Sequence, residues 1–197
     1  MYTDQLEAQA VSRINASFPN ETVTVHNEGN PGESIPSTQN RIDSVLANYT
    51  FDATIDTYCV VMLGVNDANN NNPYSSVSQS YIDNTTADLI YILDAIEAKG
   101  FKPILIESPF IDIDGTAYTD ESTGTKPWND NIIMPTILSR TPEFAYADGQ
   151  SFYQPYVIMY NNYPAYESGD NLHPNGTGYG ALKEAFVDRI VSYIFTG

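Results

Sequence analysis

The stretch Thr57-Tyr58-Cys59-Val60-Val61-Met62-Leu63 runs directly into Gly64-Val65-Asn66-Asp67. A short run that becomes continuously apolar predicts a strand of a parallel sheet that is covered on both faces. A second such run is Pro103-Ile104-Leu105-Ile106. Between the two runs, apolar residues keep helical spacing from position 77 to position 99. This order predicts two parallel strands joined by a crossover helix.

The rest of the chain continues the alternation of strands and helices. The pattern predicts helices over 3–18, 131–140 and 182–195, and a further helix that begins after Ser34 as its cap. It predicts strands over 22–26 and 144–148. Such alternation predicts an α/β protein, a three-layer α/β/α sandwich around a mainly parallel sheet. Since no repeat or linker divides the sequence, residues 1–197 are expected to form a single domain.

Composition excludes several classes of partner. Eight basic and 25 acidic side chains give a net charge of −17, which disfavours nucleic acid and anionic membranes because both are polyanions. The sequence has no run of about 18 apolar residues, so no membrane insertion is expected, and it shows no signal-peptide pattern. We therefore expect a soluble protein, in a compartment that the sequence leaves unknown. Cys59 is the single cysteine, and the sequence predicts no metal site and no cofactor.

Unusual polar residues follow the predicted strands. The loops at 27–34, 64–67 and 107–109 all leave strands at the carboxyl edge of the sheet, where parallel sheets bind ligands. A fourth polar loop contains Asp170 and His173, three residues apart. At that spacing a carboxylate can orient an imidazole as the base of a nucleophilic triad. Alternatively, Asp170 caps the last helix and His173 is an ordinary surface residue.

Three of these segments together resemble the blocks of the SGNH (GDSL-type) hydrolases. They are Asn27-Glu28-Gly29-Asn30-Pro31-Gly32-Glu33-Ser34, Gly64-Val65-Asn66-Asp67 and Asp170-Asn171-Leu172-His173. The resemblance implies a flavodoxin-like SGNH fold and a carboxylic-ester hydrolase of the esterase/lipase or carbohydrate acetylesterase class, acting on a small-molecule ester. It assigns the oxyanion donors to the Gly32 backbone and the Asn66 side chain, and the catalytic pair to Asp170 and His173. Candidate substrate-binding residues are Asn27, Asp67, Tyr153 and Tyr156.

One block of the family has no counterpart. The family's nucleophile is a serine in a Gly-Asp-Ser block at the end of a first strand, and this sequence has neither, as expected of a truncated or divergent member. Ser34 and Ser108 are candidate substitute nucleophiles; alternatively, the Asp170–His173 pair activates water. In the family the missing strand lies between the counterparts of 22–26 and 57–63. Without it, these two strands pair directly, leave an exposed edge, or receive a strand from another chain. An open edge favours a homodimer.

A second function remains open beside the hydrolase. Residues 151–168 contain six Tyr or Phe and two Pro, which predicts an ordered aromatic loop. Aromatic rings stack on sugars and pack against acyl chains. The same fold without activity would then be a binding module for carbohydrate or acyl ligands.

Overall fold

The computed structural model describes residues 24–112, 123–140, 154–191 and 193–194, and, nearer the N-terminus, residues 11, 12, 15, 16 and 19. Most of the predicted helix 3–18, residues 22 and 23 of one predicted strand, and the predicted strand 144–148 lie outside these residues. Among the described residues, no helix combines the length and the apolar character needed to cross a bilayer.

The two predicted apolar strands are confirmed. Strand β1 (Tyr58–Met62) pairs in parallel with β2 (Lys102–Ile106), with Val60 opposite Ile104. The described helices are α1 (Ile35–Leu46), α2 (Val65–Asn70), α3 (Gln79–Ala98), α4 (Lys126–Trp128), α5 (Met134–Arg140), α6 (Pro155–Asn161) and α7 (Gly176–Phe186), with a 3-10 turn at Tyr74–Ser76 and π-helical turns at Asn129–Ile133 and Val187–Val191.

Local signals in the sequence fix the ends of the two longest helices near the sheet. Ser34 caps α1: its backbone N–H donates to Ser37 Oγ at 2.7 Å and its hydroxyl oxygen accepts from Ser37 N–H. Ser78 caps α3 in the same way, through Tyr81 N–H. Gly100, with a φ of +88°, ends α3 in the left-handed conformation that suits glycine. The predicted capping role of Ser34 is therefore confirmed.

Helices pack against both faces of the sheet at β2, as the predicted three-layer sandwich requires. Leu105 of β2 and Val61 of β1 belong to the main core, together with residues of α1 and α3. Ile104 and Ile106 point to the opposite face, where they pack with Ile190, Leu182 and Phe186 near the C-terminus. Because successive residues of a strand alternate between faces, one strand contributes to two cores.

Two expectations about strands are wrong within the described residues. Val60 and Met62 share one face of β1 and remain 38% and 49% exposed, so this strand is not covered on both faces. Residues 24–26 are not in a strand, although their composition favours one. Strand propensity depends on packing against neighbouring strands, and the described sheet pairs β1 only with β2.

Candidate active site

The carboxyl end of β1 turns sharply into α2 at Gly64. This residue is buried, with a φ of +109°, a conformation that only glycine adopts readily. A Cβ here would lie 2.6 Å from Ser108 Oγ. The turn places Asn66 and Asp67 in the first turn of α2, at the carboxyl edge of the sheet.

Asn66 connects the two segments predicted to hold the oxyanion donors. Its Nδ2 donates to the backbone oxygen of Glu33 at 3.0 Å. A primary amide carries two hydrogens, so one hydrogen remains for a substrate. Gly32 immediately precedes Glu33, is exposed, and has a φ of +79°, and a Cβ added to it would meet nothing within 4 Å. At Gly32 the backbone conformation, not crowding, therefore favours glycine.

Both candidate substitute nucleophiles have structural contacts. The Ser34 hydroxyl is part of the α1 cap. Ser108 is fully buried, and its hydroxyl donates to the backbone oxygen of Leu63. Asn129 brackets the Ser108 backbone, accepting from its N–H and donating to its carbonyl, both at 2.9 Å. No hydrogen bond joins His173 to either serine among the described residues.

Asp170 and His173 form the pair that their spacing predicts. His173 Nδ1 lies 2.7 Å from Asp170 Oδ2, and His173 N–H donates to Asp170 Oδ1 at 2.8 Å. Leu172 N–H and the Ser168 hydroxyl also donate to Oδ1. These hydrogen bonds, led by those from His173, hold the pKa of Asp170 well below its usual range. The His173 side chain is 59% exposed.

Hydrogen bonds within the loop hold this pair in place. Glu167 Oε1 accepts from the N–H groups of Gly169 and Asn171. Asn171 has a φ of +60°, the left-handed conformation that asparagine adopts more readily than most residues with a side chain. Its carbonyl accepts from Asp112 N–H at 3.0 Å, which ties the loop to the segment that follows β2. The loop thus returns to the carboxyl edge of the sheet.

The expected aromatic loop at 151–168 is wrong over residues 155–161, which form helix α6, whereas residues 162–168 are turns and irregular backbone. Pro155 fits the first turn of this helix. Tyr156 and Tyr160 stack on each other at 5.8 Å and both meet Phe110 edge-on. Tyr163 meets Phe110 in the same way. These rings are therefore packed mainly against one another.

A hollow lies beside His173. Its walls come from the aromatic cluster and the segment after β2, and they are Phe110, Ile111, Asp112, Met159, Tyr163, Glu167, Asn171, Leu172 and His173. Neither Gly32 nor Asn66 is among these residues. Burial and a hydrogen bond with Asp112 raise the pKa of Tyr163 to about 12.

The other candidate binding residues have different surroundings. Asn27 is exposed, and its side-chain oxygen accepts from Gly29 N–H at 3.0 Å, which forms a tight turn. Asp67 is fully buried, and its carboxylate accepts from Ile35 N–H. Tyr153 lies outside the described residues. A substrate contact of any of these residues stays a prediction.

Sequence reasoning placed Glu107 in the polar loop 107–109 but gave it no role. This residue directly follows β2, is 7% exposed, and its carboxylate accepts from Tyr156 N–H at 3.1 Å. Burial raises its pKa to about 7. The signal in the sequence was its position directly after an apolar strand, at the edge where parallel sheets bind ligands. Among the described residues, no group of three or more His, Cys, Asp or Glu side chains is placed to hold a metal ion.

Comparison with solved structures places this arrangement in a known fold. The acetyl xylan esterase Axe2 from Geobacillus stearothermophilus matches over 94% of this chain and 80% of its own, with a TM-score of 0.65 and 21% identity, and a single-substitution variant of it matches equally. LAE5, an alpha/beta hydrolase enzyme from the metagenome of Lake Arreo, Spain, matches over 93% of this chain and 80% of its own, with a TM-score of 0.61 and 18% identity. The fold is shared. At these identities the likeness concerns the fold alone.

Comparison by sequence adds nothing further: no protein-family model and no curated protein matches this chain. The α/β fold with helices on both faces of a parallel sheet is thus confirmed by the structure and its neighbours together. The roles of the individual residues depend on the geometry described above.

Proposed function

We propose that this chain is an SGNH-type carboxylic-ester hydrolase, of the esterase/lipase or carbohydrate acetylesterase class. The observation that carries the proposal is the 2.7 Å contact between His173 Nδ1 and Asp170 Oδ2. A carboxylate on one ring nitrogen fixes the proton there and leaves a lone pair on the other nitrogen. The ring is then a general base with a defined direction.

The surroundings of Asp170 support this role. Because N–H and O–H donors already surround the carboxylate, its ionised form is favoured and persists at any pH at which an esterase works. The same bonds restrict the side chain to one orientation. Asp170 therefore orients His173 and stabilises the imidazolium that forms during the reaction.

Asn66 and Gly32 are the proposed oxyanion donors. In the proposed mechanism, the second amide hydrogen of Asn66 and the backbone N–H of Gly32 bond to the oxygen that becomes negative in the transition state. Neither donor is charged, so they favour the transition state over the neutral ester. A single such donor contributes about 10²–10³ in rate.

The proposed nucleophile is water. Ser34 and Ser108 bond to other groups, so we assign the base role to His173 acting on water directly. Nε2 takes a proton as the water oxygen bonds to the ester carbonyl carbon, and the carbonyl electron pair moves to oxygen. When the C–O bond to the alcohol breaks, the leaving oxygen takes the proton back from the imidazolium. Loss of a triad serine lowers kcat by about 10⁶ in a serine protease, so we expect slow turnover of activated esters.

The substrate class follows from charge and fold. The net charge of −17 disfavours anionic substrates, since like charges repel. Two of the structural neighbours are forms of an acetyl xylan esterase. We therefore propose neutral short-chain esters, with acetylated carbohydrate as the first substrates to test.

Hydrolysis of p-nitrophenyl acetate tests the proposal. His173→Ala should abolish turnover, and Asn66→Ala should lower kcat about 10²-fold with little change in KM. His26→Ala is the matched control, because His26 is the second of the two histidines and packs on Tyr49. Turnover that is the same in His173→Ala and His26→Ala would refute the hydrolase.

A binding module without activity is the alternative. The ordered cluster around Phe110 favours it, since three tyrosine rings pack on one phenylalanine beside the hollow. However, those rings contact each other rather than presenting flat faces. Binding of xylo-oligosaccharide that is lost in Tyr160→Ala, without any ester turnover, would favour this alternative.

A further inference from the structure

Asp67 lies next to Asn66 in the first turn of α2, and its side chain is completely buried. Both carboxylate oxygens face the backbone N–H of Ile35, at 3.0 and 3.2 Å. Ile35 is the first residue of α1 and follows the Gly32 loop by three positions. We propose that ionised Asp67 is a positioning residue, which holds the Gly32 loop against Asn66 for the ester hydrolysis proposed above; this inference rests on that proposed function.

Two hydrogen bonds then connect the same two segments. Asn66 Nδ2 bonds to Glu33 O at 3.0 Å, and Asp67 bonds to Ile35 N–H. Together they fix Glu33 and Ile35, on either side of Ser34, relative to the first turn of α2. Without Asp67, the bond from Asn66 to Glu33 would have to keep this register while Asn66 also donates to the oxyanion. A misplacement of 1 Å at such a site costs about 10²-fold in rate.

The cap of α1 leaves a specific role for Asp67. Ser34 bonds to Ser37 N–H, so the Ser34 side chain does not satisfy Ile35 N–H. A carboxylate at this helix start is favoured by the helix dipole, and a bond from N–H to an ionised oxygen is roughly twice as strong as a neutral one. The strength of this connection therefore depends on the charge of Asp67.

The same burial makes that charge depend on pH. Burial is the main cause that raises the pKa of Asp67 to about 6, and the charge of Asp88 on α3 adds to it. Hydrogen bonds from the N–H groups of Ile35 and of Asp67 itself act in the opposite direction and lower the pKa. Among the described residues, Asp88 is the charged side chain on a neighbouring element that affects the pKa of Asp67. The connection is thus expected to tighten as the pH rises through about 6.

The chemical shift of the Ile35 amide proton, measured by NMR at pH 5 and pH 7.5, tests the connection without using activity. In the wild type this proton should move downfield as the pH rises through about 6, because a hydrogen bond to an ionised acceptor is shorter and stronger than one to a neutral acceptor. The Ser34 amide, which bonds to Ser37 Oγ, is the internal reference. Asp67→Asn should show no such shift, and Asp83→Asn, at an exposed helical position, should behave as the wild type. An Ile35 amide shift that is the same at both pH values in the wild type would overturn the proposal.

Kinetics test whether the connection positions the catalytic groups. Per folded molecule at pH 7.5, Asp67→Ala should lower kcat for p-nitrophenyl acetate about 10²-fold with KM within twofold. Asp67→Asn keeps an acceptor oxygen, so its kcat should be about tenfold higher than that of Asp67→Ala. Unchanged kcat in Asp67→Ala would overturn the positioning role. If the wild type shows no turnover that depends on His173, the proposed function fails, and the NMR measurement still decides whether Asp67 holds the loop.

Discussion

The carboxylate of Glu107, at the end of β2, accepts a hydrogen bond of 3.1 Å from the backbone N–H of Tyr156, at the start of α6. This contact joins the sheet to the aromatic cluster that forms one wall of the hollow beside His173. It also places an ionisable group where water has little access. The stability of the protein should therefore depend on the charge of Glu107.

We expect Glu107 to make the folded protein less stable as the pH rises. Burial raises its pKa from 4.5 to about 7, so the folded state binds this proton more tightly than the unfolded state. The contribution to the free energy of unfolding is full below pH 4.5 and is lost as the pH rises through about 7. At about 1.4 kcal/mol per pKa unit, it amounts to about 3 kcal/mol. Urea unfolding at pH 5 and pH 8 should show a smaller decrease in Glu107→Gln than in the wild type.

Glu184→Gln is the control for this measurement, because it removes the same charge from an exposed position of α7. Asp67, with a pKa raised to about 6, contributes in the same direction in all three proteins. The same decrease in Glu107→Gln and Glu184→Gln would show that Glu107 is not the group responsible.

We expect Ser108 to be structural rather than a nucleophile. Ser108→Ala removes one bond, from its hydroxyl to Leu63 O, which should lower stability by about 1 kcal/mol and leave ester turnover unchanged. Asn129→Ala leaves the buried N–H and carbonyl of Ser108 without their partner, so it should cost about 2–3 kcal/mol. Chemical denaturation and p-nitrophenyl acetate assays measure both effects. Loss of turnover in a folded Ser108→Ala protein would make Ser108 the nucleophile after all.

Gly64 and Gly32 should tolerate alanine differently. Both have positive φ, but a Cβ at Gly64 would meet Ser108 Oγ at 2.6 Å, whereas a Cβ at Gly32 meets nothing within 4 Å. Gly32→Ala should therefore cost about 1–2 kcal/mol, from the backbone alone. Gly64→Ala should cost clearly more, because the clash adds to the same strain. Thermal and urea unfolding of the two variants gives the comparison, and equal losses would contradict it.

The exposed face of β1 favours self-association. Val60 and Met62 on this face, and nearby in sequence Phe51 and Ile55, are 38–61% exposed, and large apolar side chains at the surface promote contact between chains. The homodimer predicted from an open sheet edge stays a prediction, and this exposed apolar face adds a second surface that favours it. Light scattering should show a dimer in the wild type and a monomer in Met62→Lys. Lys102→Met, at the exposed first residue of β2, changes the net charge elsewhere and is the control. A monomeric wild type at every concentration would refute the prediction.

Local sequence was enough where the deciding contact lies within a few residues. Ser34 and Ser78 cap the helices that follow them because each needs a backbone N–H only three positions away. Asp170 and His173 form their pair for the same reason. The two apolar runs were also sufficient to place β1 and β2, since short, continuously apolar runs are typical of strands in a parallel sheet.

Contacts across the fold could not be derived in that way. The aromatic segment at 151–168 had the composition of a loop, yet α6 forms there and packs its rings around Phe110. Glu107 gave no signal beyond its position after a strand, because its pKa depends on burial that only packing produces. The residues 24–26 similarly favour a strand by composition, but strand formation requires a partner.

The sequence by itself determined the helix caps, the β1–α3–β2 unit and the Asp170–His173 pair, because these depend on periodicity and on hydrogen bonds between near neighbours. Only the tertiary structure decided that Asn66 bonds to Glu33, that Ser108 is buried against Leu63 and that Asp67 holds Ile35. Those partners are 32 to 45 residues apart. Ser108 meets Leu63 because the carboxyl ends of the parallel strands β1 and β2 lie side by side at one edge of the sheet. The contacts of Asn66 and Asp67 depend instead on how the start of α1 packs against α2.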